Sequence, residues 1–202
     1  NTIIGYQASQ FITTAGNTTT LGYQAGQYAT GSANTFVGSN AGKGGTTSAP
    51  YSSGEENTAV GYQALTGFTT GNYNTAVGKG AGGAITTGNQ NTLIGRAAGA
   101  NMLTATHNVC IGMVAGASLD AGNSVIIGSY AGDALTSGAN NVVIGRAAMG
   151  AATTMTTNVA IGFETMGDCA AGVAITSAVA VGAGALKKLN NSGANYTVGI
   201  GV

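Results

Sequence analysis

Several stretches of this chain carry side chains capable of chemistry, and spacing argues against each as a site. Gly78-Lys79-Gly80-Ala81-Gly82-Gly83 fits the G-x-G-x-x-G pattern of a dinucleotide loop. That loop works only between a strand and a helix, with an acidic residue further on to hold the ribose. Neither a helical pattern nor such an acid follows here. Gly42-Lys43-Gly44 lacks the spacing and the hydroxyl residue of a phosphate loop. Glu55-Glu56 sets two carboxylates side by side, but adjacent side chains in an extended loop diverge, whereas an acid–base pair must converge on one substrate. His107 is the only histidine and lacks the ligand set of a metal site. Lys79, Arg96 and Arg146 follow repeated glycines, where other copies carry Tyr6, Tyr23, Tyr62 or Phe163. That column reads as an outer, partly wet stripe whose role is packing between neighbours. We therefore expect no catalytic residue, no cofactor and no metal: not an enzyme.

The elements that position these residues come from one repeated pentapeptide. Asn57-Thr58-Ala59-Val60-Gly61 returns unchanged as Asn74-Thr75-Ala76-Val77-Gly78 and, one copy later, in the looser form Asn91-Thr92-Leu93-Ile94-Gly95. Looser copies run from Asn1 to Gly199, and the spacing between their closing glycines is mostly 17 residues. A fixed period of this size marks a repeat architecture. Three residues before the glycine stands Thr or Val in every copy but the last, and one before stands Ile, Leu or Val, as in Thr2, Ile4, Val142 and Ile144. Alternation of β-branched residues predicts a short strand. The residue between them is also mostly apolar, as in Phe36, Ala59, Leu93 and Ile126, so both strand faces need cover. The simplest second cover is another copy of the same chain.

After the glycine, Ala recurs at the third position (Ala64, Ala81, Ala98) and an apolar residue at the seventh (Phe68, Ile85, Met102). Small residues allow close backbone approach at a bend. The seventh position predicts a second short strand pointing back inside, and Thr-Thr-Gly or Thr-Ser-Gly then turns the chain. Each unit reads as strand, bend, strand, turn. The expected fold is all-β: a parallel β-solenoid of about twelve ~17-residue coils, with residues 1–202 forming one repeat array. Identical residues stack along the axis, so the Asn column predicts an amide ladder. Twelve coils at ~4.8 Å give a rod on the order of 55 Å long. Two insertions break the period, one at about 44–56 and a smaller one at about 171–177. Insertions in solenoids emerge as surface loops that carry binding function, which makes Pro50, Tyr51, Glu55 and Glu56 the candidate receptor contact.

Composition agrees. Only 6% of the 202 residues are charged, and six basic residues balance six acidic ones, so there is no electrostatic footprint for nucleic acid. No run approaches the ~18 apolar residues of a membrane helix, so no membrane insertion is expected. Cys110 and Cys169 lie coils apart and replace Ile, Val or Leu of other copies, which predicts buried thiols, not a disulfide. The chain starts inside a repeat, and we expect it to be a fragment of a longer fibre.

Asn57-Thr58-Ala59-Val60-Gly61-Tyr62-Gln63-Ala64-Leu65, with Thr69-Thr70-Gly71 after it, resembles repeats of bacteriophage tail fibres. It is also similar to the head repeats of trimeric autotransporter adhesins. The resemblance covers essentially the whole chain. It implies a left-handed β-roll, three chains around one axis, further fibre segments of the same chain, and a location on the virion tail fibre. A host cell-surface receptor is the implied partner. The alternative it implies is the head of a bacterial surface adhesin, extracellular at the cell surface. A third reading, an ice-binding solenoid, is prompted by the Thr column. It is disfavoured by the expectation that this column, sharing a face with Ile and Val, points inside.

Overall fold

The computed structural model describes residues 1–169, 174–189 and 195–202. Twelve three-residue strands succeed one another: β1 Thr2–Ile4, β2 Thr19–Leu21, β3 Thr35–Val37, β4 Thr58–Val60, β5 Thr75–Val77, β6 Thr92–Ile94, β7 Val109–Ile111, β8 Val125–Ile127, β9 Val142–Ile144, β10 Val159–Ile161, β11 Val179–Val181 and β12 Val198–Ile200. They form one sheet in sequence order, every neighbouring pair parallel. The expected parallel β-solenoid is the fold.

Each strand from β2 to β11 buries its middle residue and turns its two outer residues outward. Ala59, Leu93, Ile126 and Val143 are wholly buried, while the flanking positions of β4, β8 and β9 are half-buried. The Thr/Val and Ile/Val columns therefore form the outer face of the sheet. This corrects the expectation that the Thr column points inside, because period-two alternation assigns one face to the core without saying which.

The segment after the glycine is not a strand. It is a chain of turns in which the second and fourth residues adopt left-handed backbone, as in Gln63 (φ 57°) and Leu65 (φ 47°), or Ala147 (φ 54°) and Met149 (φ 52°). A strand cannot turn two successive side chains to the same side. These turns do: Ala64 and Leu65 are both fully buried, as are Ala148 and Met149. The amides then alternate in direction. Gln63 N–H donates to Ser39 O of the preceding coil (3.0 Å), Ala64 N–H to Gly61 O of its own (3.3 Å), and Leu65 N–H to Ala81 O of the next (3.0 Å). Backbone polarity is thus satisfied without a second sheet. The seventh-position residues Phe68, Ile85 and Met102 do point inside, as expected.

The amide ladder is present and buried. Asn57 Oδ1 accepts the backbone N–H of Asn74 (2.9 Å) and its side-chain Nδ2–H (3.2 Å), while Asn57 Nδ2 donates to Gly71 O (2.9 Å). Asn74 repeats the pattern on Asn91 and Gly88, at 2.8 Å for the latter. Each asparagine thus grips the following coil at two points. Where Ser124 replaces it, the hydroxyl still accepts Asn141 N–H at 3.2 Å.

The repeated glycine is required by position. Gly78 has φ +133°, and a Cβ there would stand 2.5 Å from Gly95 O in the next coil. The last copy is displaced by this rule. Gly201 (φ 123°), not Gly199, takes the glycine position, since Val198 pairs with Val179 and Ile200 with Val181. The pentapeptide pattern places Gly199 there, but Gly199 pairs with the inward Ala180.

The first insertion leaves the coil after Gly45 and rejoins at Ser52, which pairs with Ala29. The unit is six residues over the usual period (23 against 17), and these are residues 46–51. The second insertion lies partly outside the described residues; Thr176 is back in register opposite Thr156.

Asn74→Ala removes the Gly88 bond and leaves a buried Asn91 N–H unpaired, so it should destabilise by on the order of 3 kcal/mol in a denaturant melt. Asn74→Asp, identical in shape, should be worse at neutral pH because it aims a buried carboxylate at the Gly88 carbonyl. A cost for Asn74→Asp no larger than for Asn74→Ala would show that the amide donor contributes nothing. Gly78→Ala combines a strained φ with a clash against backbone and should cost about 3 kcal/mol or more.

Candidate functional site

The insertion separates the four residues expected to act together. Tyr51 folds back over the first two coils, its ring stacked on Phe11 (centroids 4.8 Å) and near Tyr28 (6.1 Å), which themselves stack at 5.3 Å. Lys43 Nζ lies 5.7 Å from the Tyr28 ring centre. Three aromatic rings supply the loop with the apolar anchor that its own Thr, Ser and Ala residues lack. Pro50 is exposed beside Tyr51. Glu55 and Glu56, in contrast, belong to the regular coil. Glu56 occupies the left-handed position before Asn57, as Tyr73 does before Asn74, and Glu55 N–H donates to Asn72 Oδ1 at 2.7 Å.

Under the loop lies an open groove of about 630 Å³, in class with small-ligand sites. Pro50 and Tyr51 form part of its wall, with Thr46 and Ser48. Its floor is the Thr-Thr-Gly turn column, contributing Thr13, Thr14, Thr30, Ser53, Thr69 and Thr70. Stacking brings these hydroxyls together: Thr69 Oγ1 donates to Thr86 O of the next coil at 3.0 Å, and Thr30 Oγ1 to Ser52 O at 3.2 Å. Glu55 and Glu56 do not line the groove. In the sequence the turn threonines mark only the end of each coil; the loop, closing over them, makes them the floor of a groove.

The second feature is the outer face of the sheet. Its two strand columns are joined by a third, the residue after each glycine. Tyr6 and Tyr23 stack there at 5.6 Å, Lys79 lies 5.7 Å from the Tyr62 ring centre, and Arg146 lies 5.4 Å from that of Phe163. Lys79 and Arg96 occupy successive coils yet turn apart, Lys79 back to Tyr62 and Arg96 forward to Met113 Sδ (3.8 Å). Twelve rungs by three columns make a face on the order of 700 Å². Its middle column is apolar, with the Thr/Val column on one side and a column rich in aromatic and cationic residues on the other.

The remaining candidates resolve into structure. The amides of Gly80, Gly82 and Gly83 bond Tyr62, Ala98 and Gly80 carbonyls, so no anion cradle exists in the G-x-G-x-x-G stretch. His107 is an exposed residue with left-handed backbone. Asp133, Glu164 and Asp168 line a shallow depression, where Lys187 Nζ bonds Glu164 Oε2 at 2.5 Å and stands 3.7 Å from Asp168 Oδ2. The Glu164 hydrogen bond, with Asp168 nearby, raises the Lys187 pKa, and burial raises that of Asp133. Among the described residues no group of three or more His, Cys, Asp or Glu is placed to hold a metal. Cys110 and Cys169 are free and buried, as expected.

No family model matches the chain, nor does any curated protein or solved structure.

Burial pushes the Cys110 thiol from an ordinary 9.0 up to about 12. The native state keeps this proton after the unfolded chain has lost it, so the contribution to stability is complete below ~9 and declines as pH rises towards 12. Cys110→Val should lose less stability than the parent between pH 8 and pH 11 in urea melts. Equal losses would remove the thiol as the cause. Both thiols should resist an aromatic disulfide reagent at pH 8 until the protein is unfolded.

Proposed function

We propose that this chain is a rigid structural segment of a trimeric phage tail fibre, supporting attachment to a host-surface receptor. The observation that carries the reading is the continuous outer sheet face. Its middle column is Ile, Leu or Val on every strand from Ile4 to Ile200, and soluble monomers rarely leave a long contiguous apolar patch uncovered. A face on the order of 700 Å² approaches the ~800 Å² each partner gives to a stable interface. An apolar centre bordered by Tyr, Phe and Arg is also the composition of interface cores and rims. Three copies, parallel about an axis along the rod, would bury that face at every coil. The repeat resemblance supplies the number three. Mechanically, stacked coils transmit position without bending, and the loop at 46–51 is the element that stands apart from the repeat.

A second reading uses the same face. Outward ranks of Thr and Ile or Val at fixed spacing also suit an ice-binding plane, and their outward direction removes the objection drawn from the sequence. Against it stands the change from Thr to Val midway, from Thr92 to Val109.

Light scattering on the purified segment should give three times the 19.5 kDa chain mass. A folded, soluble monomer would contradict the trimer, and thermal hysteresis from that monomer would transfer the face to ice binding. Ile144→Glu places a charge on an outward, half-buried position. It should dissociate the trimer while leaving the coil folded by circular dichroism. Deleting 46–51 should abolish host adsorption by the assembled fibre; unchanged adsorption would reject the loop as the contact.

A further inference from the structure

We infer that the groove between the 46–51 loop and the threonine column binds a neutral saccharide. The inference rests on the attachment reading above and names the chemistry of the receptor. Six observations converge on it.

The wall combines one aromatic ring, Tyr51, with a proline and a dense set of hydroxyls. Sugar rings present an apolar C–H face and a polar rim, so they need a flat apolar surface beside groups that both donate and accept. Hydroxyls meet the second requirement, each offering one donor and two acceptor positions. Among the described residues no protein group bonds the hydroxyls of Thr13, Thr14, Ser48, Ser53 or Thr70, so they are available to a ligand. No charged side chain lines the groove, which selects against uronates, sialylated glycans and phosphorylated ligands.

The Tyr51 ring is also held in place. Stacking on Phe11 and Tyr28 means that little side-chain entropy remains to be lost on binding. The volume, about 630 Å³, accommodates two or three sugar units within the usual range of ligand sites. Finally, none of the lining residues belongs to a strand, so the groove and the apolar sheet face are built from different residues.

The test is saturation-transfer NMR on the assembled protein with trisaccharides of glucose, galactose and N-acetylglucosamine, and with trigalacturonic acid as charged control. At least one neutral trisaccharide should receive saturation and the uronate should not. Tyr51→Ala should weaken binding at least tenfold. Thr70→Val, which leaves the aromatic stack intact, should weaken it several-fold. Deletion of 46–51, which restores a 17-residue coil, should abolish it with the melting transition retained. The inference is overturned by no binding to any neutral probe, by equal binding of the uronate, or by binding that survives the deletion. Loop-dependent adsorption without sugar binding would reject the saccharide alone. Sugar binding with loop-independent adsorption would reject the attachment reading and leave the groove as a saccharide site.

Discussion

The structure depends on the register between successive coils, and a buried side chain holds that register together with the backbone bonds of strands and turns. Three-residue strands supply few ladder bonds. Each asparagine adds a fixed reach: Oδ1 takes the next asparagine's backbone N–H, and Nδ2 takes a carbonyl three residues earlier in that same coil. Any slip of the stack would leave these amides buried and unpaired, at a cost of ~1–3 kcal/mol per group. The glycine column enforces the same register sterically, since only a residue without Cβ fits against the glycine carbonyl above it.

From that constraint the two surfaces follow. Strict stacking makes every outward residue part of a column, so a preference expressed once per coil becomes a face the length of the rod. On the sheet side this produces an apolar stripe with an aromatic and cationic border. On the turn side it produces a row of threonine hydroxyls, which stays a row until a six-residue excursion closes over its first coils. The low charge of the chain has the same origin. Like charges in register lie a few ångströms apart, and where it happens, at Lys79 and Arg96, the side chains turn away from one another.

Much of this was legible in the residues. The 17-residue period, the strand, the asparagine ladder and the inward seventh position follow from Asn57, Val60, Gly61 and Phe68 and their copies. What was not legible has physical causes. Which strand face is inside depends on how the turns close the coil, and alternation at Thr58, Ala59 and Val60 is symmetric in that respect. Left-handed backbone at non-glycine positions such as Gln63 and Leu65 has no strong residue signature, so burial of both Ala64 and Leu65 was hidden. Tyr51 meets Phe11 and Tyr28 through the stack, across a separation that local pattern does not report. The shift from Gly199 to Gly201 shows contact geometry prevailing over a pentapeptide match.

The central claim is that the outer sheet face is where parallel copies meet. Spin labels placed one at a time at Val60, Val77 and Ile94, all outward on consecutive strands, test it most directly by pulsed dipolar spectroscopy. Parallel copies about a common axis predict the same narrow inter-copy distance at all three positions. Absence of dipolar coupling, or a distance that grows from one coil to the next, would contradict the account.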